Sequence, residues 1–295
     1  MRVHQRRVNG VAYTHGLINT SKPLTKSAFR GIDHIVLRVV HAKPLFRLLT
    51  ERLKLPVVWP IEEAAFATFG WAGVGNTNLE IWASSSNADI PSDVGLPLIH
   101  GFALEPENLQ QDLALLKSRG VRYKSPRVYQ TKNAEGELRT NFTNSVVLDV
   151  SSDSCCIFFC EWGTEAPITP WPKGLATNQR RSDERRALRD CGGGALGIVG
   201  LREVRMAVPN LPSALQRWQI LVASDLNPVP LTPDINLRLE EGVCQAITEL
   251  TFAVQDLEAA GDALQRTGLA ATSTAHGLLM SPEETGGLRF QLVQA

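Results

Sequence analysis

The sequence predicts an α+β fold of four βαβββ units arranged as two paired domains. Three observations carry this. An alternating apolar strand followed by an amphipathic helix occurs four times along the chain. Short strand-like segments, separated by turn residues, follow the helices. The chain has 295 residues, about twice the ~150 of an average domain.

In the first unit residues 32–39 alternate as a strand and 44–53 read as its helix. Residues 57–59, 66–69 and 78–82 supply three further strands. In the second unit 99–104 is the strand and 108–120 the helix. Leu109, Leu113 and Leu116 recur there at helical spacing, and Gly120 marks the stop. Its remaining strands are 122–129, 141–150 and 156–162, with Asn133-Ala134-Glu135-Gly136 as a hairpin turn. The third unit is compressed, with a strand at 201–208 and a helix at 212–221. The fourth has a strand at 247–254, a helix from Asp256 to Gly268, and a last strand at 288–292.

The paired units define two domains, 31–163 and 197–295, joined by a linker at 164–196. The linker holds Pro167, Pro170 and Pro172, then Arg180, Arg181, Arg185, Arg186 and Arg189, then Gly192-Gly193-Gly194. Asp183, Glu184 and Asp190 interrupt the basic run, so it reads as a solvated, partly helical connector rather than an anion site. Residues 1–30 carry Arg2, Arg6, Arg7, Lys22, Lys26 and Arg30 and no acid. They read as a disordered tail, with an organellar transit peptide as the alternative. The expected location is cytoplasmic, or a mitochondrion or plastid if that segment is a transit peptide.

Lys plus Arg and Asp plus Glu are 30 each. A neutral chain lacks the phosphate-neutralising excess that drives nucleic-acid binding. No apolar run approaches the ~18 residues of a membrane span, so no membrane partner is expected. The five cysteines are an odd number without a CxxC pair, and they read as reduced thiols rather than a zinc site or a disulfide frame. No GxSxG, P-loop or HExxH motif competes for a catalytic role.

Asp33-His34-Ile35-Val36-Leu37, a first strand with a histidine near its start, resembles the vicinal oxygen chelate superfamily. So does Gly75-Asn76-Thr77-Asn78-Leu79-Glu80-Ile81, a fourth strand with a glutamate. That superfamily includes glyoxalase I, extradiol dioxygenases and bleomycin-resistance proteins. Phe158-Phe159-Cys160-Glu161-Trp162 and the stretch 133–138 are most similar to its glyoxalase-like branch. The match is good over 31–163 and only a fold pattern over 197–295.

The resemblance implies a cup made by each pair of units, with ligands from the first and last strand of each unit. The corresponding residues are His34 and Glu80 from the first unit, and His100 and Glu161 from the second. Two imidazoles and two carboxylates suit Zn, Ni, Fe, Mn or Co. Glu161 or Glu80 would then serve as the base. The register of His100 and Glu161 is open: a shift of one residue would put Gly101 in the ligand slot, and Phe159 or Cys160 in the other. Trp59, Phe69, Asn78, Trp82, Phe102, Arg139, Asn141 and Phe159 are candidates for contacting a small-molecule substrate, core packing being the ordinary role of an aromatic.

In the second domain Glu203 falls where His34 stands and Arg238 where Glu80 stands. Glu249 and Gln291 lie near the slots of the last unit. Arginine cannot bind a cation, so this pair is read as degenerate, covering the first pair or forming a homodimer contact. The leading expectation is a divalent-metal-dependent lyase, isomerase or extradiol-type dioxygenase acting on vicinal oxygens. The alternative is a metal-free protein of the bleomycin-resistance type that binds an aromatic small molecule or antibiotic. Three or more converging ligands would mark the first, and an aromatic cup with diverging ligands the second.

Overall fold

The computed structural model describes residues 26–86, 90, 94–132, 135–163 and 177–295. The expectation for residues 1–25 lies outside the described residues, as do Asn133, Ala134 and the three linker prolines. Among the described residues the chain forms fifteen strands and five α-helices.

The first unit is β1 (Gly31–Arg38), α1 (Ala42–Arg47), β2 (Val57–Glu63), β3 (Ala67–Gly73) and β4 (Asn78–Ser84). The second is β5 (Leu98–Glu105), α2 (Leu109–Ser118), β6 (Arg127–Lys132), β7 (Leu138–Val146) and β8 (Cys156–Trp162). In each unit the first and last strands are parallel neighbours, β1 with β4 and β5 with β8. The two units join where β1 and β5 run antiparallel. Asn108 caps α2 by accepting a hydrogen bond from the Gln111 amide, the role its side chain suits.

The described part of the linker is helical, as expected, but it is not simply solvated. Its basic run forms α3 (Thr177–Asp190), whose Arg180, Glu184 and Leu188 are buried. These recur at four-residue spacing, so they form one stripe, but two of the three are charged and escape an apolar-periodicity reading. Ala28 and Phe29, placed with the tail by sequence, are also buried, and the Ala28 amide bonds Leu221 O at 3.1 Å.

The third unit is β9 (Ile198–Val208), α4 (Leu211–Val222), β10 (Val229–Pro230) and β11 (Asn236–Glu241). The fourth is β12 (Ala246–Val254), α5 (Leu257–Arg266), β13 (Ala271–Thr274), β14 (Gly277–Met280) and β15 (Phe290–Gln294). Again the first and last strands pair in parallel, and β9 and β12 join the units antiparallel. The two halves share one core. Phe102 of β5 stacks on Trp218 of α4 with ring centroids 5.8 Å apart. The Asn76 side chain donates to Leu201 O at 2.7 Å and accepts from Leu201 N at 2.9 Å. A two-way side-chain tie to backbone fixes both partners' orientation and satisfies buried groups.

Candidate functional site

Strand alternation sorts the first pair into two faces. Ile35, Leu37, Leu79, Ile81, Phe102, Ile157 and Phe159 pack in the buried core. His34, Glu80, Trp71 and Trp82 lie on the other, concave face. His34 and Glu80 meet there: Nε2 stands 3.4 Å from Oε2. His34 Nδ1 lies 2.7 Å from Asp33 Oδ2. Asp33 also accepts from Trp162 Nε1 at 3.1 Å, from Arg181 at 3.2 Å, and from Arg180.

The electrostatics of this row follow from its burial. Burial alone would raise the Asp33 carboxyl, but Arg180, the His34 hydrogen bond and Arg181 hold it well below the usual carboxylate range. An ionised Asp33 only accepts, so His34 Nδ1 is the donor in this contact and Nε2 faces Glu80. Burial pushes the Glu80 carboxyl up, and His34 and the Trp71 indole N–H offset this only in part. The outcome is an Asp–His–Glu row whose inner carboxylate is ionised and whose outer one is proton-hungry.

The second unit does not complete a four-ligand site. Ile35 opposes Phe102, and on either side His34 opposes Ala103 and Val36 opposes Gly101. The pairing is therefore two-fold about Ile35 and Phe102, which makes Gly101 the counterpart of His34. His34 aligns with Asn78 and Val36 with Glu80, while Gly101 aligns with Cys156 and Ala103 with Phe158. The counterpart of Glu80 is therefore Phe158. The counterpart of Asp33 is His100, at the register shift in β5 as Asp33 is at the shift in β1. Glu161 points to the helix side, where its Oε1 accepts from the Leu109 amide at 2.8 Å at the start of α2.

The Gly101 slot is also closed to any side chain. Its φ is +146°, and a Cβ would fall 1.8 Å from the Cys156 carbonyl oxygen. Phe158 fills its own slot with an edge toward His34, ring centroids 5.7 Å apart. Among the described residues no group of three His, Cys, Asp or Glu is placed to hold a metal ion. His34 and Glu80 alone fall short of the three or four protein ligands such ions take, so the residues present do not fit a resident transition metal.

The concave face offers aromatic rings instead. Tyr129, Phe142, Trp162, Trp71, Trp59, Phe69 and Trp82 follow one another with successive centroids 4.7, 5.4, 5.9, 6.2, 6.3 and 5.4 Å apart. His34 joins this chain 4.5 Å from Trp71. All but Trp71 and His34 are half-buried, so they face the cup rather than fill a core. Of the expected contact residues, Trp59, Phe69 and Trp82 are on this wall. Phe102 and Phe159 are fully buried on the opposite face, because β-strand parity turns them inward. Asn78 is buried and donates to Glu184 Oε1 at 2.8 Å. Asn141 accepts from Thr131 Oγ1 at 3.0 Å, and Arg139 pairs with Glu137 at 3.7 Å. Phe158 and Tyr129 were not singled out by sequence; the Gly101–Cys156 register would have revealed Phe158.

Helix α3 closes one end of this cup. Arg180 and Arg181 meet Asp33, Glu105 and Glu184, with Arg181 at 3.1 Å from Glu105 and 2.6 Å from Glu184. Burial would lower the Arg181 guanidinium, but Glu184, Glu105 and Asp33 raise it above its ordinary value. The buried thiol of Cys160 is pushed well above its ordinary value by burial and by Asp33, which makes it inert.

No protein-family model and no curated protein matches the sequence. Solved structures do match the fold. Homoprotocatechuate 2,3-dioxygenase from Arthrobacter globiformis superposes with a TM-score of 0.53 at 12% identity, over 92% of this chain and 81% of that one. A hypothetical protein from Staphylococcus aureus gives 0.55 at 10% identity, over 90% and 99%. The Mn(II)-bound glyoxalase from Novosphingobium aromaticivorans gives 0.50 at 11% identity, over 90% and 82%. The chain thus has the fold of the vicinal oxygen chelate proteins, as its strand motifs imply.

Proposed function

We propose that the first pair of units binds a planar aromatic small molecule carrying an ionisable hydroxyl, without a resident transition metal. The supporting observation is the unbroken row of rings that His34, paired with Glu80, joins at Trp71, while Gly101 and Phe158 occupy the other two slots. Half-buried indole and phenyl faces offer stacking surface of about 0.5–1.5 kcal/mol per ring pair beyond area burial. The His34–Glu80 pair gives the ligand hydroxyl an acceptor at the floor of the cup. The Mn(II)-bound glyoxalase shares the fold, and its chemistry does not transfer with it.

A second reading is favoured by the Asp33–His34–Glu80 row itself. An imidazole oriented by an ionised carboxylate, facing a raised carboxyl, is equipped to move a proton on the bound ligand. Quenching of tryptophan emission by 4-nitrophenol, in buffer with EDTA, tests the binding proposal. Saturable quenching that weakens about tenfold or more in Trp82→Ala and in Glu80→Gln is expected. Quenching that is linear, or unchanged in both variants, would overturn it. A deuterium-exchange assay on a bound C–H acid then separates proton transfer from binding alone.

A further inference from the structure

The second pair of units has its own concave face, and its chemistry is unlike the first. It holds an open cavity of about 700 Å³ whose lining includes three arginines and two glutamates, Arg202, Arg205, Arg238, Glu203 and Glu240. That volume lies within the ~300–1,000 Å³ of small-molecule pockets. The register repeats that of the first pair: Glu203 aligns with Asn236 and Arg205 with Arg238. Glu203 and Arg238 thus hold the places of His34 and Glu80. Across the join Arg205 opposes Glu249, and Thr251 aligns with Gln291.

Arg205 is the more loosely paired arginine beside Glu203 and Glu249. Glu203 is held by Arg238, whose Nε lies 2.9 and 3.0 Å from its two oxygens. The buried Glu249 is held by Arg289 at 3.2 Å. Arg205 reaches these same two carboxylates only at 3.5 and 3.8 Å. Its Nε and the Glu249 Oε1 are buried with no hydrogen-bond partner among the described residues. A guanidinium held at these longer distances, in a cavity whose lining sums to one net positive charge, is poised for an anion. Thr251, Gln291 and Asn236 line the same cavity and supply neutral donors and acceptors.

We propose that this cavity binds a small polar molecule bearing a carboxylate, with Arg205 receiving that carboxylate in a forked contact. Arginine suits the task because its planar fork matches a carboxylate, which a lysine cannot reproduce. The exposed Arg202 at the rim adds a second positive charge on the approach.

Calorimetric titration of the full chain with citrate, succinate and glutamate, and with glucose as an uncharged probe, tests this. At least one carboxylate is expected to bind with a dissociation constant of about 1 mM or tighter, and glucose not at all. Arg205→Met and Arg205→Lys should each weaken that binding about tenfold or more. Arg202→Ala, an exposed change that leaves the fold intact, should weaken it about threefold; this variant decides if the Arg205 variants do not fold. No binding by any carboxylate, or binding unchanged in Arg202→Ala and Arg205→Met, overturns the proposal. Binding lost in His34→Ala instead would place the carboxylate in the first cup and overturn it equally.

Discussion

At the scale of single residues, His34 and Glu80 were legible because each puts an ionisable group into an apolar strand. His100 and Glu161 were not, because one register shift and one step of parity decide which way they face. His100 takes the place of Asp33, and Glu161 holds the start of α2. Neither fact leaves a trace in composition. The raised Glu80 carboxyl has a measurable consequence. In an unfolded chain a glutamate ionises near ~4.3. The folded form holds the proton to higher pH, so its contribution is favourable below that value and is lost as pH rises through the folded value. Glu80→Gln should therefore melt at a higher temperature than the wild type at pH 7, with the gap closing below about pH 4.3. Calorimetric melting at both pH values checks this. An equal or lower melting temperature at pH 7 would show that Glu80 is not penalised by its site. A stability gain paired with lost ligand binding is the signature of a group kept for function.

At the scale of elements, the βαβββ repeats were readable from alternation and helical spacing, and β1, α2, β8 and β12 fall within a few residues of expectation. The burial of helix α3 is hidden in the sequence because its buried stripe is Arg180, Glu184 and Leu188. A charge run that finds buried partners looks, in sequence, like one that faces water. Two predictions concern this element. Leu188→Ala should lower stability by about 2–4 kcal/mol in urea unfolding, whereas a loosely attached linker would lose almost nothing. The Asp33 carboxyl that anchors Arg180 is depressed, so its stabilisation is complete above ~3.9 and is lost as pH falls through its folded value. The stability difference between wild type and Asp33→Asn should accordingly be large at pH 6 and shrink steadily in acid. A difference independent of pH would mean that Asp33 acts through packing and not through its charge.

At the scale of the whole molecule, two cups of one architecture carry opposite chemistry. The first sets an aromatic wall around an imidazole and a carboxyl, and the second sets arginines around a polar cavity. Sequence reads the second pair as having lost the ligand pattern, with Glu203 in the place of His34 and Arg238 in the place of Glu80, and the strand register puts both there. It did not show a cavity, because cavity shape depends on how four strands curve, which no local pattern encodes. The shared core, through Phe102 with Trp218 and Asn76 with Leu201, holds the two cups in one body. The proposed binding without a resident transition metal rests on Gly101 and Phe158, which stand in two of the four ligand slots. The most direct test is elemental analysis of the full chain after equilibration with Mn(II), Fe(II), Ni(II) and Zn(II) and removal of free ions. Metal far below stoichiometry with each ion is the expected result. Near-stoichiometric metal, lost in both His34→Ala and Glu80→Ala, would contradict the account and restore a metal-dependent reading of the site.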